Sequence, residues 1–166
     1  MDDALLTARE MLETVTPMKR DCGKICGAAC CRAPGDEVAG MLLFPGEEAF
    51  YDLPGWQVIR GAAGLLAVCP GRCERAERPL SCRLFPLLPM PGEEGIRVEV
   101  DLRAGAVCPL ARQERSAMDP AFIEAVREAG EVLAADSRQA AFLHKLSLQQ
   151  QDLRILKKKF GGDRHV

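Results

Sequence analysis

The chain has 166 residues, a formal net charge of −2 and no basic excess of the kind that marks a nucleic-acid binder. No apolar run reaches the ~18 residues that span a bilayer, and the opening MDDALLTARE, acidic and then amphipathic, lacks the basic and apolar regions of a secretory signal. Aromatic residues make up only 5% while eight residues are cysteine, so thiols stand where bulky core residues are scarce. A cytoplasmic protein that meets neither nucleic acid nor membrane is the expectation. In a reducing cytosol clustered cysteines signal metal binding or catalysis more often than disulfides.

Residues 3–16 place Leu5, Ala8, Leu12 and Val15 on one face with Met11 beside them. Asp2 or Asp3 can cap the first turn and Pro17 marks the stop, so an amphipathic helix is predicted. Four cysteines follow within ten residues, and Gly23, Gly27, Pro34 and Gly35 favour turns over a long regular helix. Residues 38–66 alternate short apolar runs (VAGMLLF, WQVIR, GLLAV) with Pro-Gly punctuation, which predicts short strands, and PGEEAFYDL can form one or two helical turns. Tyr51 and Trp56 read as core or loop anchors.

PGEEG then separates RLFPLLPM from IRVEVDLR. In the second run Ile96, Val98, Val100 and Leu102 alternate with charged residues, the pattern of a half-buried hairpin strand. After residue 115 the cysteines cease. MDPAFIEAVREAGEVLAAD has Asp119 as a helix cap and Pro120 in the first helical position. A last helix is predicted from a Ser137 cap to Gly161, with Phe142, Leu146, Leu153, Leu156 and Phe160 as its apolar stripe. Lys157, Lys158 and Lys159 lie in its final turn, where the helix dipole favours cations. The two histidines, His144 on this helix and His165 in the tail, read as surface residues.

The cysteines are Cys22, Cys26, Cys30, Cys31, Cys69, Cys73, Cys82 and Cys108. They fall as Cys-x3-Cys-x3-Cys-Cys, then Cys-Pro-x-x-Cys, then two single residues. Short loops rich in small residues let sulfurs gather around one centre, with metal–sulfur bonds of ~2.3 Å. Glycine lets the backbone approach closely, and proline after Cys69 and Cys108 stiffens the exit from the site. All eight are therefore candidate metal ligands. For Cys108, the most isolated, burial as a core thiol is the competing reading. Vicinal Cys30 and Cys31 suit two sites, or two sides of one, better than a mutual bridge.

Four thiolates on a divalent metal carry a formal charge of about −2. Arg32, Arg78 and Arg83, each near a cysteine, are candidates to offset that charge and donate hydrogen bonds to sulfur; Arg72 is a fourth. Zinc and iron–sulfur centres both accept all-cysteine ligation. The x3 spacings and Cys-Pro pairs lean toward iron–sulfur. The shortage of aromatics leans toward a structural zinc that adds folding energy.

The four-cysteine group, the Cys69–Cys73 pair and Arg78-Pro79-x-x-Cys82-Arg83-x-Phe85-Pro86 together resemble the zinc- or iron-chelating cysteine-cluster domain of bacteria and archaea. LLFPGEEAF also resembles that family's segment between the cysteine groups, and the likeness covers about residues 20–110. The chain departs from the family pattern in having three residues, where the family has two, between the first cysteines, and in lacking the usual aromatic before Arg78. The resemblance implies metal chelation. Through a distant likeness to the flagellin lysine N-methylases it also implies an iron–sulfur cluster with S-adenosylmethionine, although no glycine-rich nucleotide loop follows a strand here.

The expected architecture is α+β: a cysteine-cluster metal-binding domain over 1–115 and a helical extension over 116–166. The expected role is binding an iron–sulfur cluster or Zn2+ that is structural or electron-carrying. An iron–sulfur enzyme or enzyme subunit and a metal-stabilised adaptor are the competing readings. A homodimer through the C-terminal helices is the expected assembly.

Overall fold

The computed structural model describes residues 3–31, 40–71, 73–113 and 115–160. Asp2, Arg32, Pro34, Gly35, Arg72, Gly161 and His165 lie outside the described residues. The architecture is α+β, with helices at both ends and short antiparallel strands between them. Among the described residues no helix is long and apolar enough to cross a membrane.

Helix α1 (Asp3–Met11) buries Leu5 and Ala8, with Leu12 just beyond its end. It stops well before Pro17, and the reason lies far along the chain. The Arg75 guanidinium donates to the carbonyls of Leu12 (2.9 Å), Glu13 and Val15, and Arg83 donates to that of Arg9 (2.8 Å). Helix-end carbonyls need partners, and these two arginines supply them in place of another helical turn.

Three short strands, β1 (Met41–Leu42), β2 (Gln57–Arg60) and β3 (Leu65–Val68), form an antiparallel sheet in the order β1-β3-β2. Under it Leu43, Tyr51, Trp56 and Ala67 make a small core of their own, with the Tyr51 and Trp56 ring centroids 4.8 Å apart. Cys69 and Cys73 pack against this core, so the strands carry the second cysteine pair on an anchored base. PGEEAF forms a single 3-10 turn, Glu47–Phe50.

Helix α3 (Leu80–Leu84) follows α2 (Cys22–Cys26) in chain order and holds Cys82 at its centre. Arg83 and Leu84 complete this helix, so the first hairpin arm begins later than RLFPLLPM suggests. Strands β4 (Leu87–Gly92) and β5 (Gly95–Val100) pair from Leu87↔Val100 to Gly92↔Gly95 around Glu93-Glu94, with Gly95 at φ +115. Leu87, Leu88, Met90 and Val98 are buried.

Helix α4 (Pro120–Ala135) starts as the sequence predicts, with the Asp119 side chain accepting the Ala121 N–H at 3.0 Å and Pro120 in its first turn. Phe122, Ala125, Val126, Ala129 and Leu133 form a buried stripe facing α1 and the hairpin. Helix α5 (Ser137–Phe160) departs from expectation twice. Its cap is Asp136, whose Oδ1 accepts the N–H groups of Arg138 and Gln139, both at 2.9 Å. Of the predicted stripe, Leu146 is buried and Phe142 meets Phe44 edge-on at 4.9 Å, but Leu156 is exposed and Phe160 is 81% exposed. The buried positions are instead Gln139, Leu143, Leu146, Ser147 and Gln150. The two glutamines have partners: Gln139 donates to the Pro45 carbonyl and Gln150 to Asp101.

One main core joins α1, α3, the hairpin, α4 and the first half of α5. The expected boundary at residue 115 therefore runs through a shared core. Helix α4 approaches the hairpin so closely that a Cβ at Gly130 would stand 2.4 Å from Pro89 Cβ and 2.8 Å from Ile96 Cγ2. Gly130→Ala sets a helix-propensity gain of ~1 kcal/mol against overpacking of ~1–3 kcal/mol, and the neighbouring proline ring cannot yield. A net loss of stability in urea unfolding is expected. Gly105→Ala, where a Cβ meets nothing within 4 Å, should leave the midpoint nearly unchanged.

Candidate metal centre

The first cysteine group is shaped by a cap at each end. Asp21 accepts the Gly23 N–H at 3.1 Å and starts α2, while Gly27 ends it at φ +63. The x3 spacing puts Cys22 and Cys26 one helical turn apart on one face of α2. Ala28 is also left-handed, at φ +54, an unusual state for a residue with a side chain. Two such residues in succession reverse the chain and lead into the 3-10 turn Ala29–Cys31.

Cys69 leaves β3, and Cys73 precedes the turn Arg75–Glu77. From there to α3 the chain is tied down from several directions. The Tyr51 hydroxyl donates to the Glu77 carbonyl at 3.1 Å. The Leu80 N–H donates to Glu47 Oε1 at 2.6 Å, and the Ser81 hydroxyl donates to the Leu42 carbonyl. Glu47 has no exposure; it also accepts the Phe44 N–H at 3.1 Å and pairs with Arg9. Burial pushes its carboxyl above the ordinary range, while the Leu80 N–H, Arg9 and the Phe44 N–H act against that.

The arginines flanking Cys82 separate. Arg78 turns to the sulfurs, donating a hydrogen bond to Cys73 and lying near Asp21 and Cys31. Burial opposes its charge, but Cys73, Asp21 and Cys31 outweigh that and raise its pKa. Arg83 is buried and turns elsewhere: among the described residues its guanidinium donates to the carbonyls of Arg78 (3.1 Å), Arg9 (2.8 Å) and Ala76 (2.8 Å) and to the Glu13 carboxylate. In place of the expected sulfur contact it fastens α3 to α1 and to the preceding turn.

All eight cysteines are free thiols, and electrostatic neighbourhood links them into one group. Cys22 lies within charge range of Cys26 and Cys108, so Cys108, though buried and distant in sequence, adjoins the first group. Cys30 lies near Cys22 and Cys82. Cys82 in turn lies near Cys31, Cys73 and Cys69. The Cys30 thiol hydrogen-bonds to its neighbour Cys31, and that bond lowers Cys31 to about 6 and raises Cys30. Burial raises Cys22 and Cys73, and pushes Cys82 well above the usual thiol range.

Among the described residues, no three His, Cys, Asp or Glu side chains converge on a point where they could hold a metal ion. The donor chemistry fits a thiophilic metal, and the sulfurs are gathered without being closed on one point. His144 is exposed on α5. Reading by motif missed Glu47, Arg9 and Arg75, which build the frame around Cys82. The only sequence signal for Glu47 is an acidic residue beside a tight Pro-Gly turn. The sequence signal for Asp21 is a cap-forming residue type directly before the first cysteine, in a stretch whose glycines point to turns. Comparison with protein-family models, with curated proteins and with solved structures finds no match for this chain.

Glu47→Ala leaves Arg9 and two N–H donors without their acceptor, and a loss of about 3–5 kcal/mol is expected in denaturant unfolding. A loss under ~1 kcal/mol would mean that the frame does not depend on this carboxylate. In metal-free protein Cys31 is exposed and carries the lowered thiol. Iodoacetamide should label it first, at a rate rising through about pH 6, as peptide mass spectrometry would show. Equal labelling of all exposed thiols near pH 8.5 would remove that assignment.

Proposed function

We propose that this protein is a thiolate metal-binding module, its centre either an iron–sulfur cluster or zinc, serving a structural or electron-carrying role. The single observation that supports this most is that free thiols from four separate stretches of chain neighbour one another, with Arg78 hydrogen-bonded to Cys73 and lying near Cys31 and Cys22. Core thiols used as filler need no shared neighbourhood and no guanidinium beside them. The likeness of Arg78-Pro79-x-x-Cys82-Arg83-x-Phe85-Pro86 to the cysteine-cluster domain signature points the same way.

Cys22, Cys26, Cys30, Cys31, Cys69, Cys73, Cys82 and Cys108 are the residues that would hold the metal. Zinc there would supply folding energy without redox chemistry, and an iron–sulfur cluster would supply one-electron transfer. Arg78 would balance thiolate charge directly. Arg83 would act through the placement of Cys82. The glycine-rich backbone around Cys26 and Cys30 gives the first group room to close.

Burial keeps Cys22, Cys73 and Cys82 protonated without metal, so loading must release their protons. Affinity therefore falls as pH falls. Cys31, lowered to about 6, contributes little to the release at neutral pH.

The deciding experiment is anaerobic purification followed by elemental analysis and absorption spectroscopy. Iron with sulfide and absorbance near ~400 nm identifies a cluster; colourless protein with zinc identifies a structural site. Cys82→Ser should lose most of the bound metal in either case, and metal addition to a weakly buffered solution of metal-free protein should release protons. Absence of both metals, with no uptake by the reduced chain, overturns the proposal.

A further inference from the structure

Beside the cysteine region, a cleft of about 390 Å3 is walled by Lys19, Arg20, Arg75 and Arg78 against the two carboxylates of Glu13 and Asp21. We propose that this cleft binds a small molecule carrying a phosphate or multiple carboxylates, held by Lys19, Arg20 and the adjoining guanidinium groups. Its volume lies within the ~300–1,000 Å3 of small-molecule pockets.

The balance of charge is more positive than the residue count suggests, because one of the two carboxylates is paired from outside the cleft. Glu13 pairs with Arg83, which stands outside the cleft wall. Asp21 accepts the Gly23 N–H and sits beside Arg78. Among the described residues neither Lys19 nor Arg20 belongs to an ion pair, and both are exposed.

Among the described residues Arg75 donates only to carbonyl oxygens and forms no ion pair with a carboxylate. Arg78 lines the same cleft beside it. Crowded cations of this kind are relieved by an anion, and guanidinium groups bind phosphate and carboxylate with paired, directional hydrogen bonds. A concave wall with cations on several sides selects a compact polyanion over a single exposed carboxylate.

The proposal does not rest on the metal reading, because its binding groups are not cysteines. Binding is expected in chelator-treated protein and, weakened because Arg78 borders both places, in metal-loaded protein as well, which keeps failure of one proposal distinct from failure of the other. The test is isothermal titration calorimetry of the full chain with inorganic phosphate and, separately, with citrate, in a low-salt buffer free of competing anions. Saturable binding of at least one of them at a single site is expected. Phosphate alone would assign a phosphate-bearing ligand, and citrate alone a polycarboxylate.

The variant Lys19→Ala/Arg20→Ala alters only exposed side chains, so its circular dichroism should match the parent. It should weaken binding by about tenfold or more, the loss of charge-assisted hydrogen bonds. The variant Lys157→Ala/Lys158→Ala/Lys159→Ala removes the basic run at the end of α5 and should keep the parent affinity. No saturable binding of either anion overturns the proposal. So does parent affinity in Lys19→Ala/Arg20→Ala, or an equal loss in the α5 variant, which would mark general attraction to positive charge.

Discussion

Glu47 is the constraint on which the cysteine-bearing half of the molecule depends. A carboxyl group with no exposure must find donors within the protein, and it finds them on three separate segments: Arg9 of α1, the Phe44 N–H after β1, and the Leu80 N–H at the start of α3. Each contact is individually ordinary. Together they fix the helix carrying Cys82 relative to the N-terminal helix and to the small sheet. Because α3 is only five residues long, it has little packing surface with which to orient itself. Its direction is set by the side chains around it.

The same economy explains why two arginines flank Cys82. Arg78 precedes the helix in extended backbone, at φ −62 and ψ 131, so its side chain can cross toward Cys73. Arg83 follows Cys82 inside the helix, where one residue is a rotation of about 100° around the axis. A side chain there cannot face the direction that Cys82 faces. It turns toward α1 and meets the carbonyls of Arg9, Ala76 and Arg78. A symmetric reading of Arg-x3-Cys-Arg therefore divides into one group beside sulfur and one holding backbone. Arg75 extends the second role by meeting the carbonyls past the end of α1.

What could be read from the sequence follows from the range of the forces involved. Asp119-Pro120 and Glu93-Glu94-Gly95 act over a few residues, and the α4 cap and the β4–β5 turn stand where those signals place them. The α1 terminus depends on Arg75, sixty or more positions away, so a local reading carried the helix on to Pro17. The stripe expected on α5 contained the right residue types. It fails at Leu156 and Phe160, exposed in this chain, while Gln139 and Gln150 are buried because Pro45 and Asp101 accept from them. Periodicity identifies an apolar face, but it does not say how far along that face the core extends. At the site, cysteine spacing identified the participants. It carried no information about Cys108 adjoining Cys22, or about which arginine would reach a sulfur.

The electrostatics of the region give these pieces a common direction. Burial holds Cys22, Cys73 and Cys82 as neutral thiols, and several cations stand close by without an equal number of free anions. Both conditions oppose charge on the bare protein; a metal cation eases the first, and arriving negative charge eases the second. In the proposed function, thiolates formed under a metal would bring it to one side of Arg78. A polyanion in the adjoining cleft brings it to the other. Because a single guanidinium borders both places, charge added at one lessens the pull available at the other. In the proposed function Arg78 is therefore the element through which sulfur ligation and anion binding would oppose each other, while Arg83 and Arg75, bound to backbone, hold the frame unchanged.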